Sequence, residues 1–527
     1  MKKLFLLMLV VSAMLLSGSA LHGQLTTVNV EGGPVEGTTE DGLAIYKGIP
    51  FAAPPVGELR WKPPMPVIPW EGVWQADEFA PQCPQAQFMP GAPLPASSED
   101  CLYLNIWTPA KSGNDQLPVM VWIHGGGFAL GSTNTPIWYG DQLARQGVVV
   151  VSIAYRLGPL GFMCHPELSA ESESGISGNY GLLDQIEGLK WIQKNIGEFG
   201  GDSQNVTIFG ESAGGISVSM LCASPLAKGL FRRAISQSGG NFGPVEAGER
   251  RDGIQHMKAA EKTGLEFAER MGTQSLVALR NLDPSAWKDD PLAQMGGFWP
   301  VADGYVLIGD QYELYDEGKF NDVDVIIGTN SDEGGMFVQP SSPEIYQENI
   351  RKRFGLFADR VLDFYPGNTE EETYTSSADI FRETVFAWPS WSWARLQSRT
   401  GGSNVFVYYF DQQQQSGLFS PVKPRGAGHG AEIAYVFRKL NPAQAGTEDL
   451  KLSETMATYW TNFARTGDPN GDGLPQWPSF KENQDPQVLY LNSHPSPGPV
   501  PNLEKLELMD KYFSWRRGVL KSAAQAK

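Results

Sequence analysis

Three short apolar runs, rich in β-branched residues, set the first expectation. Residues 119–123 (Val-Met-Val-Trp-Ile), 148–154 and 206–209 (Val-Thr-Ile-Phe) predict strands buried on both faces of a largely parallel sheet. Between the last two, Leu182, Ile186, Leu189, Ile192 and Ile196 recur at helical spacing, with Asp184, Glu187 and Lys190 on other faces. That pattern predicts a crossover helix. Residues 323–327, 405–410 and 488–491 predict further strands of the same sheet, and residues 28–51 alternate as small antiparallel strands around Gly32-Gly33 and Asp41-Gly42. The Pro-rich stretch 81–98 and the Gln- and Gly-rich stretch 411–430 predict surface loops. With no repeat and no linker of boundary length, residues 24–527 are expected to form one α/β domain.

The amino terminus does not belong to that pattern. Lys2 and Lys3 precede an apolar run from residue 4 to 16 and then small residues, so residues 1–23 are expected to be a signal peptide. A secreted or periplasmic location follows. No later apolar run approaches the roughly 20 residues of a spanning helix, so the mature chain is expected to lack an integral membrane segment. The net charge of -18 argues against nucleic acid, which needs a basic face. Among the four cysteines, Cys83 and Cys101 enclose a short Pro-rich loop and are expected to form a disulfide; Cys164 and Cys222 read as buried and free.

Chemistry enters at Gly210-Glu211-Ser212-Ala213-Gly214, directly after the run 206–209 and before a helical stretch. This is the nucleophile-elbow pattern, whose sharp turn leaves no room for side chains two residues either side of the serine. In a chain with 59 glycines such a five-residue motif arises by chance about half a time, so the strand and helix around it carry the argument. His124-Gly125-Gly126-Gly127-Phe128 follows an earlier strand and can present N–H groups to an oxyanion, which assigns the hole to Gly126, Gly127 and Ala213. Of the histidines outside the leader (His124, His165, His256, His429 and His494), His429 lies on a loop well downstream of the serine. It is the best base by position, because the order in such sites is serine, acid, histidine. Its protonation is expected to reduce activity below about pH 6 to 7. The acid then falls in residues 328–334 after a strand, where Asp332 and Glu333 compete and the residues alone do not separate them. Asp468-Pro469-Asn470-Gly471-Asp472-Gly473 mimics the start of a calcium loop, but Ser479 stands where a bidentate glutamate is needed, so the reading is a polar turn and no metal.

These residues resemble the type-B carboxylesterase family, which includes the cholinesterases and belongs to the α/β-hydrolase fold. The likeness runs from Gly48-Ile49-Pro50-Phe51 to about Phe480, and includes residues 99–107 (Glu-Asp-Cys-Leu-Tyr-Leu-Asn-Ile-Trp) and Phe199-Gly200-Gly201 leading into the elbow. It implies a large, mostly parallel central sheet with helices on both faces and long insertions over the site, and fits an exported bacterial member. It selects Glu333 over Asp332, supports His429, and implies the Cys83–Cys101 disulfide, structural ion pairs Arg60–Glu99 and Arg156–Asp184, and Ser238 as a neighbour of the triad. It further implies two-step acyl transfer on a small carboxylic ester without a cofactor, with Phe128, Glu211, Met295, Phe298, Met336 and Phe337 around the substrate. The chain also departs from the family. Cholinesterases hold a quaternary ammonium on a tryptophan in the loop closed by the first disulfide, and here Phe88 is that loop's only aromatic, which argues against choline esters. The segment 294–298 (Gln-Met-Gly-Gly-Phe) predicts a roomy acyl side near Gly296, suited to aryl or medium-length acyl esters. A feruloyl-type esterase, a peptidase or an amidase shares the same nucleophile, and a non-catalytic interaction protein is the reading from another class. Nothing in the sequence sets the oligomeric state.

Overall fold

The computed structural model describes residues 25–85, 96–413 and 425–525; the leader and Phe88 lie outside them. Among the described residues the main sheet has eleven strands: β1 (Thr38–Glu40), β2 (Leu43–Pro50), β3 (Tyr103–Thr108), β4 (Leu117–Ile123), β5 (Val149–Ile153), β6 (Gly201–Glu211), β7 (Arg233–Gln237), β8 (Asp324–Asn330), β9 (Val405–Phe410), β10 (Gln487–Leu491) and β11 (Ser496–Pro499). Across the sheet they lie in the order β11-β10-β9-β8-β7-β6-β4-β5-β3-β2-β1. The block from β10 to β5 is parallel throughout, and the two edges are finished by antiparallel strands.

The alternation of side chains along each central strand builds two cores. Val119, Val121 and Ile123 of β4, with Val149, Val151 and Ile153 of β5, enter one core, while Met120, Trp122 and Val150 enter the other. Helix α1 (Tyr180–Asn195) turns Leu182, Ile186, Leu189 and Ile192 into the first core, joined there by α2 (Ala213–Ala223) and α3 (Trp388–Thr400). Helix α4 (Thr447–Thr466) supplies Met456, Trp460 and Phe463 to the second. Helices therefore cover both faces, the condition for burying an apolar parallel sheet.

The predicted runs became β4, β5, β6, β8, β9 and β10, and the predicted helix became α1. Strand β7 carried no such signal, because Arg233, Ser236 and Gln237 interrupt its apolar pattern. It is nonetheless fully buried, since those groups find partners: Arg233 donates to the Ala464 carbonyl at 3.0 Å and Gln237 to Glu432 at 3.0 Å. The carboxyl ends of β4, β6, β7 and β8 deliver His124, Ser212, Ser238 and Glu333 to one edge of the sheet, where ligands of open α/β sheets bind.

Cys83 and Cys101 are buried side by side as hydrogen-bonded thiols, and no bond joins them in this structure. Cys164 and Cys222 are buried and free. The two implied ion pairs are formed. Arg60 meets Glu99, and Arg156 Nε and Nη2 donate to both oxygens of the fully buried Asp184 at 2.8 and 2.7 Å. Among the described residues no helix is long and apolar enough to cross a membrane.

Candidate active site

Ser212 sits between β6 and α2 with φ 57° and ψ -124°, a conformation that a non-glycine residue holds only under constraint. The constraint is visible. Its N–H donates to the Gln237 carbonyl at 2.9 Å, its carbonyl accepts from Ile216 at 2.8 Å, and β6 pairs Gly210 with Ile123 of β4. A Cβ on Gly214 would stand 2.0 Å from the Ile123 carbonyl oxygen, and one on Gly210 would stand 2.6 Å from it. Both glycines are therefore required, and the serine is left partly accessible between them.

The glycine loop after β4 lies against this turn: a Cβ on Gly125 would meet Ser212 Cβ at 3.0 Å. Gly126 at φ 112° is forced by its approach to the Leu130 carbonyl, 2.2 Å from where a Cβ would be. The N–H groups of Gly126, Gly127 and Ala213 have no hydrogen-bond acceptor among the described residues, which leaves three unused donors in the serine turn and the glycine loop packed against it. His124 is buried under this loop, stacked on Tyr155 at 4.5 Å, with Nδ1–H donating to the Gly125 carbonyl. Burial pushes its pKa down to about 4, so it stays neutral.

Glu333 is fully buried. Its Oε2 accepts from His429 Nδ1 at 2.6 Å, and its Oε1 accepts from Ser238 Oγ at 2.5 Å and from the Asn330 N–H at 2.6 Å. Asp332 points elsewhere, paired with Arg425 at 2.9 Å. The structure thus brings Glu333 and His429 together and takes Asp332 away. His429 Nε2, the face available to a reacting group, makes no hydrogen bond; it lies 3.2 Å from Glu211 Oε1.

Two further carboxyls complete the electrostatics. Glu211 is buried, and burial raises its pKa to about 8. Glu432, three residues beyond His429, is fully buried and also raised by burial, with Glu333 adding to it; Gln237 and Asn330 both donate to it. For His429, burial disfavours the charged ring, but Glu211 and then Glu333 outweigh it and lift the pKa to about 9. Glu432 carried no sequence signal, nor did Phe386. The latter lies on a π-helical turn, Arg382–Ala387, that stacks its ring on His429 at 4.6 Å, while Phe337 meets the imidazole edge-on at 5.2 Å.

The expected pocket residues divide. Met295 packs over Gly127 and is 41% exposed, so it borders the site. Phe337 borders it through His429, and Met336 is half-buried beside it. Phe128 and Phe298 do not line a pocket. The positive φ of Phe128 turns its ring into the core against Phe162 and Trp299, and Phe298 packs edge-on against Phe267. Gly296 is exposed, and a Cβ there would meet only the Arg250 guanidinium, with Nη2 at 3.9 Å. Residues 468–473 close on themselves, with Asn470 bonded to Asp468 and to both backbone groups of Trp477. Among the described residues no group of three or more potential metal ligands occurs.

With this geometry in place, comparison with known proteins is informative. The sequence profile described as the carboxylesterase family matches residues 24–509. The chain is 37% identical over 476 residues to the fumonisin B1 esterase of Sphingopyxis macrogoltabida, covering 86% of this chain and 84% of that one. It is 36% identical over 485 residues to the para-nitrobenzyl esterase of Bacillus subtilis (strain 168), covering 88% and 94%. A solved PNB esterase structure superposes with a TM-score of 0.78 at 34% identity, over 92% of this chain and all of the other.

Proposed function

The chain belongs to the carboxylesterase family and is a carboxylic ester hydrolase, and from that premise we propose that it works through an acyl-enzyme on Ser212 with His429 as base and Glu333 as the triad acid. The observation that carries this reading is the 2.6 Å bond from His429 Nδ1 to the buried Glu333, on the edge of the sheet where the strained Ser212 turn emerges. Ser212 Oγ attacks the ester carbonyl carbon while its proton passes to His429 Nε2. The carbonyl oxygen takes the negative charge among the N–H groups of Gly126, Gly127 and Ala213, each worth about 3 kcal/mol in the transition state. Collapse breaks the ester bond, and the alcohol leaves with the proton from His429. Water then attacks the acyl-serine, delivers a proton to the same nitrogen and releases the acid, and Ser212 recovers its proton.

Within that class the reading favours aryl and medium-length acyl esters over choline esters. A fluorophosphonate probe tests the nucleophile: the wild type labels, Ser212→Ala does not, and retention of full ester hydrolysis by Ser212→Ala overturns the assignment. Comparison of kcat/KM over 4-nitrophenyl esters of increasing acyl length, acetylcholine, a hydroxycinnamate ester and an anilide tests the specificity. A preference for acetylcholine or for the anilide removes it. The leader-like first 23 residues support export to a secreted or periplasmic location. Amino-terminal sequencing of the protein recovered outside the cytoplasm tests it, and an intact Met1 there is the adverse result.

A further inference from the structure

Arg250 is a half-buried cation with no carboxylate partner among the described residues. Its guanidinium lies 4.5 Å over the Trp299 ring, and its one hydrogen bond runs from Nη2 to the Gly296 carbonyl at 2.7 Å. Of the acids in the same loop, Glu246 pairs with Arg516 and Asp252 with Arg353, while the adjacent Glu249 is exposed and makes no ion pair with Arg250. An arginine carries five N–H donors in a fixed fork, and desolvating it without an anion is costly. Burial with no opposing charge lowers its pKa to about 10, which still leaves it fully charged at neutral pH.

Its position gives this unpaired charge a use. Trp299 packs edge-on against Phe128 at 4.7 Å, and Phe128 directly follows Gly127 of the oxyanion loop. Gly296, which Arg250 grips, directly follows Met295, whose side chain packs over Gly127. The guanidinium is thus linked to the loop that carries Gly126 and Gly127 by two routes, through Trp299 and Phe128 and through Gly296 and Met295. A chain with a net charge of -18 repels anions at long range, so an anionic group is retained here only by a local cation.

We propose that Arg250 is the anchor of a carboxylate subsite, so that this hydrolase acts on esters whose acyl or alcohol part bears a free carboxylate. The subsite rests on the serine-hydrolase reading of the Ser212 centre. A carboxylate there accepts the free edge of a guanidinium that Trp299 and Gly296 already hold in place, so little side-chain order is lost on binding.

The test compares charged and neutral esters on each side of the scissile bond. The acyl arm uses mono-4-nitrophenyl adipate against its methyl ester, and the alcohol arm uses 4-acetoxybenzoate against methyl 4-acetoxybenzoate. In the wild type at low ionic strength, the charged-to-neutral ratio of kcat/KM is expected to exceed about tenfold on one arm, which identifies the side of the ester that carries the carboxylate. The ratio should shrink in 0.5 M NaCl, fall about 10- to 100-fold in Arg250→Ala, and invert in Arg250→Glu. A wild-type ratio of one or less on both arms overturns the subsite, and this measurement needs no variant to fold. Equal losses on both members of a pair in Arg250→Ala also overturn it, because they mean that Arg250 only braces the Gly296 turn. Hydrolysis of the neutral esters with no charge preference refutes the subsite and leaves the serine-hydrolase reading intact. Hydrolysis of none of the four esters refutes both.

Discussion

Replacing Glu211 by glutamine should move the pH dependence of catalysis, and the structure sets the direction. His429 acts as a base only when Nε2 is unprotonated, and its pKa is lifted from 6.5 to about 9 against the opposing effect of burial. The net lift corresponds to roughly 3 kcal/mol in favour of the imidazolium. Glu211 is the largest contributor to it, with Oε1 3.2 Å from Nε2, followed by Glu333. Burial also raises Glu211 to about 8, and with Oε1 3.2 Å from Nε2 the two groups titrate as a pair. A group with a raised pKa loses its proton only at higher pH, so activity should climb through about pH 8 to 9 in the wild type. Glutamine keeps the shape and removes the charge. The acid limb should then fall by about one to two pH units, with Glu333 still holding the ring above its ordinary value. The assay is kcat/KM for 4-nitrophenyl butyrate from pH 5 to 10, corrected for spontaneous hydrolysis, since kcat/KM reports the free enzyme. An acid limb at or below pH 6.5 in the wild type, unmoved in Glu211→Gln, would refute the reasoning.

Three other expectations follow from the same geometry. Gly214→Ala sets a methyl group 2.0 Å from the Ile123 carbonyl oxygen, so the variant should lose about 1 to 3 kcal/mol of stability in urea unfolding and most of its activity; wild-type values for both would contradict the account of the turn. Ser238→Ala removes one of the donors to Glu333 Oε1 and should lower kcat about tenfold while KM changes little, because the loss acts on the charged imidazole of the transition state. A rise in KM alone is the contrary result. Cys83 and Cys101 stand as adjacent buried thiols, so oxidation should join them; thiol titration of the denatured, unreduced protein should then find two of the four cysteines reactive, and reduction should cost about 3 kcal/mol. Four reactive thiols in exported protein would show that the pair stays reduced.

Several of these features were legible in the chain before any coordinates. The strands β4, β5, β6 and β8 announced themselves because apolar β-branched runs have few other uses, and the elbow glycines because steric exclusion acts over five residues. Strand β7 was hidden: Arg233 and Gln237 are buried by partners 231 and 195 positions away, Ala464 and Glu432. Phe386 and Glu432 were hidden for the same reason, since no local pattern distinguishes a ring or a carboxyl that will face an imidazole. Phe128 and Phe298 looked like pocket walls by sequence position, yet backbone sign and packing turned them inward.

The sequence by itself determined the fold class, the strained serine turn and the glycine donors, because these depend on periodicity and on sterics between near neighbours. Between Asp332 and Glu333 the residues alone were silent and only the family likeness chose; the tertiary structure decided how three buried glutamates set the proton affinity of His429, and that Arg250 stands over Trp299 without an ion-pair partner among the described residues. Those outcomes depend on distance and dielectric between segments far apart in the chain. Burial makes them strong, and only the assembled fold says what is buried next to what.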